Sequence, residues 1–201
     1  MKKYDPQRHH RPFDAAQGRR SIRLADYDYS QPGAYFITLV TYQRERLFGN
    51  IANGEMRFSS MGQIAEEHWR LIPEHFPHVE LGAYVVMPNH VHGIIIINGR
   101  SNAGAFDRTG TTLSCPDVPC PERAREKFGK PVKGSIPTII RSYKASVTRR
   151  IQQEWNASDI WQRNYYEHIV RNDEEHNRIT LYIEKNVARW VMDNENPLKT
   201  T

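Results

Sequence analysis

Two histidines one residue apart, His90 and His92, stand in the run YVVMPNHVHGIIII from Tyr84 to Ile97. Their neighbours are β-branched and aromatic, the composition of a strand. Alternate side chains of a strand project from one face about 7 Å apart, so both imidazoles share a face and Val91 takes the other. Two neutral imidazoles so placed can converge on one cation. Zn, Mn, Fe, Co and Ni accept such nitrogens readily, while Mg prefers oxygen. A pair of partly buried histidines bonded to backbone groups fits the same spacing. A second polar pair lies almost a hundred residues downstream, in RITLYIEKNVARW. There Ile179, Tyr182, Ile183, Asn186 and Trp190 recur at three- and four-residue intervals, along one side of a helix. An inward-facing asparagine is costly unless its amide finds a partner, and an amide oxygen is a competent third ligand beside two histidines. Tyr182 on that side also reads as a core aromatic.

Elements able to position these groups follow from the patterning. A Pro-Gly turn precedes a first strand, Tyr35 to Tyr42. Ser59 or Ser60 caps a helix running to about Leu71, with Ile64, Trp69 and Ile72 apolar before Pro73 stops it. Val79 to Met87 and Val91 to Ile97 read as a hairpin, with Pro88 and Asn89 at its turn. In SIPTIIRSYKASVTRRIQQEW, Ile136, Ile139, Ile140, Tyr143, Val147 and Ile151 form one helical stripe, and Arg141, Lys144, Arg149 and Arg150 lie largely off it. DIWQRNYYEHIVR reads as a further strand, and Asn172 with Glu175 starts a capping-box-like final helix that continues to about Trp190. Strand, helix, strand, strand, helix, strand is a split β-α-β order. It predicts an α+β protein with a ferredoxin-like or RRM-like antiparallel sheet, helices on one face, and an added C-terminal helix.

The 201 residues carry a formal charge of +5, which tilts the partner toward a polyanion. Residues 1–23 hold seven Lys or Arg against two acids and few large apolar groups, and read as a mobile basic arm. Residues 24–192 then form a single domain, 100–134 a Gly-, Pro-, Ser- and Thr-rich flexible insertion, and 193–201 a tail. No apolar run approaches a membrane span or a signal-peptide core, so a soluble, cytoplasmic protein with no membrane partner is expected. Cys115 and Cys120 alone cannot complete a four-ligand zinc site and read as free thiols.

MPNHVHGIII, followed by WQRNYYEHIVRNDEE and YIEKN, resembles the single-tyrosine HUH transposases of IS200-like insertion sequences. RRSIRLADYDYSQPGAYFITLVTY echoes the N-terminal pattern of the REP-associated tyrosine transposases in particular. The resemblance spans Arg19 to Trp190 apart from the insertion. It implies a metal-dependent endonuclease and strand transferase that nicks single-stranded DNA beside a hairpin, such as a REP-like palindrome, through a 5′-phosphotyrosine intermediate. By motif position, Tyr182 would be the nucleophile, His90 and His92 would hold Mg2+ or Mn2+, and Asn186 would take the third-ligand place. The insertion-sequence branch often has glutamine four residues after the tyrosine, and asparagine fits the REP-associated branch. A monomer and a homodimer are both compatible, and association with the nucleoid follows.

Tyr165 and Tyr166, with His168 near, are rival nucleophiles by spacing alone. Arg19, Arg20 and Arg23 of the arm and Arg141, Lys144, Arg149 and Arg150 of the helix are candidate phosphate contacts, and equally readable as solvated charges. A non-catalytic module that binds hairpin nucleic acid is the alternative function, and a phosphodiesterase using water is a third.

Overall fold

The computed structural model describes residues 27–99, 132–157 and 159–190. Four strands, β1 (Gly33–Val40), β4 (Val79–Met87), β5 (His90–Ile97) and β6 (Tyr166–Val170), form one sheet in the order β4-β5-β1-β6. Every neighbouring pair is antiparallel, as the split β-α-β order predicts. The helices α1 (Ser60–Arg70) and α3 (Ile136–Trp155) cover one face. Tyr35, Ile37, Leu39, Val91 and Ile95 of the sheet pack there against Ile64, Ala65 and Trp69 of α1 and the expected isoleucine stripe of α3. The final helix, α4 (Asp173–Glu184), lies on the opposite face, where Ile179 and Ile183 pack on Phe36 and Ile94. Period-two alternation therefore splits β1 and β5 between a two-helix core and the layer under α4.

Local signals explain most boundaries. Ser59 caps α1 by accepting from the Gly62 amide at 3.0 Å, and Asn172 caps α4 by accepting from Glu175 at 2.8 Å. The structure also differs from expectation at four places. Between β1 and α1 stands an unexpected hairpin, β2 (Gly49–Ala52) and β3 (Glu55–Phe58), turning at Asn53 (φ 56°) and Gly54 (φ 77°). Two successive left-handed residues suit a tight hairpin turn, and Asn-Gly is the dipeptide that tolerates them. Pro73 does not simply stop α1, because it falls in the first turn of the short α2 (Ile72–His75), where a missing N–H leaves nothing unbonded. Only the end of DIWQRNYYEHIVR is strand, with Trp161 making an isolated bridge to Thr41. Finally, α4 ends at Glu184 rather than near Trp190, and the chain continues in tighter turns, Asn186 N–H donating to the Ile183 carbonyl at 3.1 Å.

The basic arm with Arg19, Arg20 and Arg23, both cysteines and the 193–201 tail lie outside the described residues, as does most of the expected insertion. Of the latter, Val132 to Gly134 are described, and the Gly134 carbonyl meets the His78 ring at 3.0 Å. Among the described residues no helix is long and apolar enough to cross a membrane.

Candidate active site

The β5 strand sets both histidines on the α4 face, at the turn end of the β4-β5 hairpin. Their cross-strand partners on β1 are Val40 for His90 and Thr38 for His92. The ring centroids are 4.4 Å apart, His90 is fully buried and His92 nearly so. Each ring is tied through Nδ1. His92 Nδ1 lies 2.8 Å from the Thr38 hydroxyl, with Phe36 stacked on the ring at 5.4 Å. His90 Nδ1 lies 2.9 Å from Asn89 Oδ1. Burial, reinforced by His92 and Arg44, holds His90 well below the usual histidine pKa, so its ring is neutral near pH 7, the form that binds cations.

Packing of Ile179 and Ile183 fixes the face of α4, and one residue before Ile183 it delivers Tyr182 to the histidines. The Tyr182 hydroxyl stands 3.3 Å from His92 Nε2, and the ring meets Phe36 edge-on at 6.2 Å. At 43% exposure the tyrosine remains open to a large ligand. Trp190 lies 6.0 Å from the His90 ring. Asn186 falls midway between these two contacts along the chain and is 3% exposed. Its Oδ1 makes no hydrogen bond among the described residues. No group of three His, Cys, Asp or Glu side chains gathers among the described residues, so a cation held by His90 and His92 would need a further donor of another type, such as the Asn186 amide oxygen. A neutral buried imidazole and an unbonded amide oxygen fit a divalent cation of the Mn type, which accepts both nitrogen and oxygen.

Other candidates fall elsewhere. Tyr165 packs toward the two-helix core, away from the histidines. Tyr166 touches Phe36 at 6.4 Å on the α4 side, and His168 pairs with Glu175 at 2.9 Å. On α3, Arg141, Arg149 and Arg150 are exposed, Arg150 meeting Glu154 at 2.7 Å. Lys144 instead folds its ammonium onto the Gln162 carbonyl, 5.9 Å over the Trp161 ring, and burial lowers its pKa to about 8. An open groove of about 550 Å³ separates α3 from residues 159–163, lined by Lys144, Thr148, Arg149, Trp161 and Arg163. Because α3 and α4 cover opposite faces, the basic helix and the histidines are on opposite sides of the sheet. Sequence reasoning did not single out Thr38, whose place beside His92 depends on strand register, or a side-chain role for Asn89.

No protein-family model matches the chain. It is 37% identical over 179 residues to an uncharacterized protein of Haemophilus influenzae, a match covering 87% of this chain and 91% of that one. Its structure is similar to that of a REP-associated tyrosine transposase solved bound to a REP hairpin. That likeness has a TM-score of 0.51 at 19% identity, over 83% of this chain and 74% of the transposase. It bears out, at the level of the fold, the resemblance carried by MPNHVHGIII and YIEKN. The chain belongs to one family with the Haemophilus protein, and its α+β fold is that of the REP-associated tyrosine transposases.

Proposed function

We propose that this chain is a transposase-type enzyme that nicks and rejoins single-stranded DNA beside a hairpin, with Tyr182 as nucleophile and His90, His92 and Asn186 holding Mg2+ or Mn2+. One observation carries the reading. A tyrosine hydroxyl lies 3.3 Å from an imidazole nitrogen ninety residues away, yet the tyrosine stays 43% exposed. Core tyrosines are shielded, whereas a nucleophile must meet its substrate. The hairpin-bound state of the similar transposase supports a hairpin as the DNA partner.

In the proposed step the Tyr182 oxygen bonds to phosphorus and the phosphorus–O3′ bond breaks. The tyrosine proton passes to solvent, and the departing oxygen takes one to become a free 3′-hydroxyl. The phosphotyrosine keeps the energy of the original ester, so an incoming 3′-hydroxyl reverses the step and joins new ends without ATP. A tyrosine with the ordinary pKa of about 10 is a weak nucleophile near neutrality. A bound cation would supply the charge that eases proton loss and offsets the phosphate's negative charge. Thr38 keeps the His92 ring aimed at Tyr182, and the edge of Phe36 keeps the phenol upright. His92 and Tyr182 meet within one chain, which supports a site complete in a single copy.

The test is Tyr182→Phe with hairpin-bearing single-stranded DNA and Mg2+ or Mn2+. The unaltered protein is expected to form a denaturation-resistant protein–DNA adduct, and the variant none. An adduct that persists in the variant sinks the assignment. Hairpin binding that survives loss of both histidines, with no cleavage by the unaltered protein, would identify a non-catalytic binding module.

A further inference from the structure

Asn89, fully buried at the turn between β4 and β5, is bonded on two sides. Its Nδ2 lies 3.1 Å from the Arg44 carbonyl, and its Oδ1 lies 2.9 Å from His90 Nδ1. A carbonyl only accepts, so the amide nitrogen must face Arg44 and the amide oxygen must face the histidine. That oxygen also only accepts, so the hydrogen between them belongs to Nδ1 of His90. A buried neutral imidazole carries a single N–H, which leaves a lone pair on Nε2.

The loop supplying the Arg44 carbonyl is itself held by Asn89. The Asn89 backbone carbonyl accepts from both the amide and the hydroxyl of Thr41, each at 2.9 Å. Between those anchors Gln43 (φ 52°) and Arg44 (φ 59°) take the left-handed conformation that side chains other than glycine avoid. Such a backbone persists only where its surroundings over-determine it. Loop, amide and imidazole therefore form one connected unit.

We propose that Asn89 is a positioning residue: its amide, oriented by the Arg44 carbonyl, holds His90 as the Nδ1–H tautomer and presents Nε2 as a ready ligand before any cation arrives. The consequence for cation affinity rests on the site proposed above, and the tautomer does not. Groups that orient a ligating histidine typically change metal affinity by about 10–100-fold when removed.

The experiment reads proton positions on 15N-labelled histidines by two-bond proton–nitrogen NMR in metal-free protein, and Mn2+ affinity by calorimetry. In the unaltered protein His90 is expected to carry its proton on Nδ1. Asn89→Ala should shift the proton toward Nε2 and weaken Mn2+ binding by about 10–100-fold. Thr41→Val, which loosens the loop carrying the Arg44 carbonyl but keeps the Asn89 side chain, should move both readouts in the same direction by a smaller amount. An unaltered protein with the His90 proton on Nε2 overturns the inference, even if Asn89→Ala fails to fold. So does a folded Asn89→Ala that keeps both the Nδ1 proton and its affinity. Correct tautomer without Mn2+ binding would instead overturn the cation site and uphold the tautomer assignment.

Discussion

A buried amide oxygen with no hydrogen bond lowers stability by about 1–3 kcal/mol relative to a satisfied or apolar group, and Asn186 carries one at 3% exposure. Were the residue structural, leucine of similar size would serve better. We expect Asn186→Leu to hold or raise the stability of the metal-free protein, by up to about 1 kcal/mol, while weakening Mn2+ binding and DNA nicking together. Urea midpoints and calorimetry on the same preparations separate the two effects. A destabilised variant with unchanged affinity would show that the amide supports the fold instead. Thr38 differs: its hydroxyl meets His92 at 2.8 Å, so that ring's orientation is fixed within the protein, while the Asn186 oxygen makes no hydrogen bond among the described residues.

The β5 strand separates two jobs by alternation. His90 and His92 face α4, and the next residue, Gly93, faces α1. A Cβ at Gly93 would lie 2.3 Å from Trp69 Cζ2 and 3.0 Å from Tyr84 Cβ. Trp69 is fully buried and wedged edge-on against Tyr143 at 5.2 Å, so it has no room to retreat. Gly93→Ala is therefore expected to cost about 1–3 kcal/mol by overpacking, read as a lower urea midpoint. Adduct formation under native conditions should survive, since the added methyl lies on the far face from Tyr182. This division also shows what sequence could reveal. Alternation alone put both imidazoles on one face, and the four-residue spacing of Ile179 and Ile183 found the side that α4 buries, with Tyr182 beside it but 43% exposed. An apolar stripe does not say which face of a sheet it covers, so the placement of α4 opposite α1 and α3 was not legible. Thr38 and the Asn89–Arg44 contact depend on register and on a left-handed loop, both of which are tertiary facts. The Asn53-Gly54 turn, by contrast, is a local signal that the sequence carries in full view.

At the scale of the whole molecule, charge and chemistry are separated. Residues 1–23 carry seven basic and two acidic side chains, and the remainder carries 21 of each sign, so the entire net charge of +5 belongs to the N-terminal segment. Within the described domain, the exposed arginines of α3 lie across the sheet from Tyr182. A strand held at Tyr182 thus reaches those arginines only by passing around a sheet edge, and the N-terminal segment becomes the stronger candidate for attracting DNA. Phosphate contacts release counterions, so affinity for single-stranded DNA falls with salt by a logarithmic slope of about 0.7 per phosphate neutralised. Removing residues 1–23 should weaken hairpin-DNA binding at low salt and flatten that slope by about 0.7 for every phosphate no longer neutralised. Adduct formation at saturating DNA should persist, because every residue of the proposed site remains. Binding titrations across a series of salt concentrations check the expectation. An unchanged slope would return the electrostatic role to α3, and replacing Arg141, Arg149 and Arg150 with alanine would then have to produce the flattening that the truncation did not.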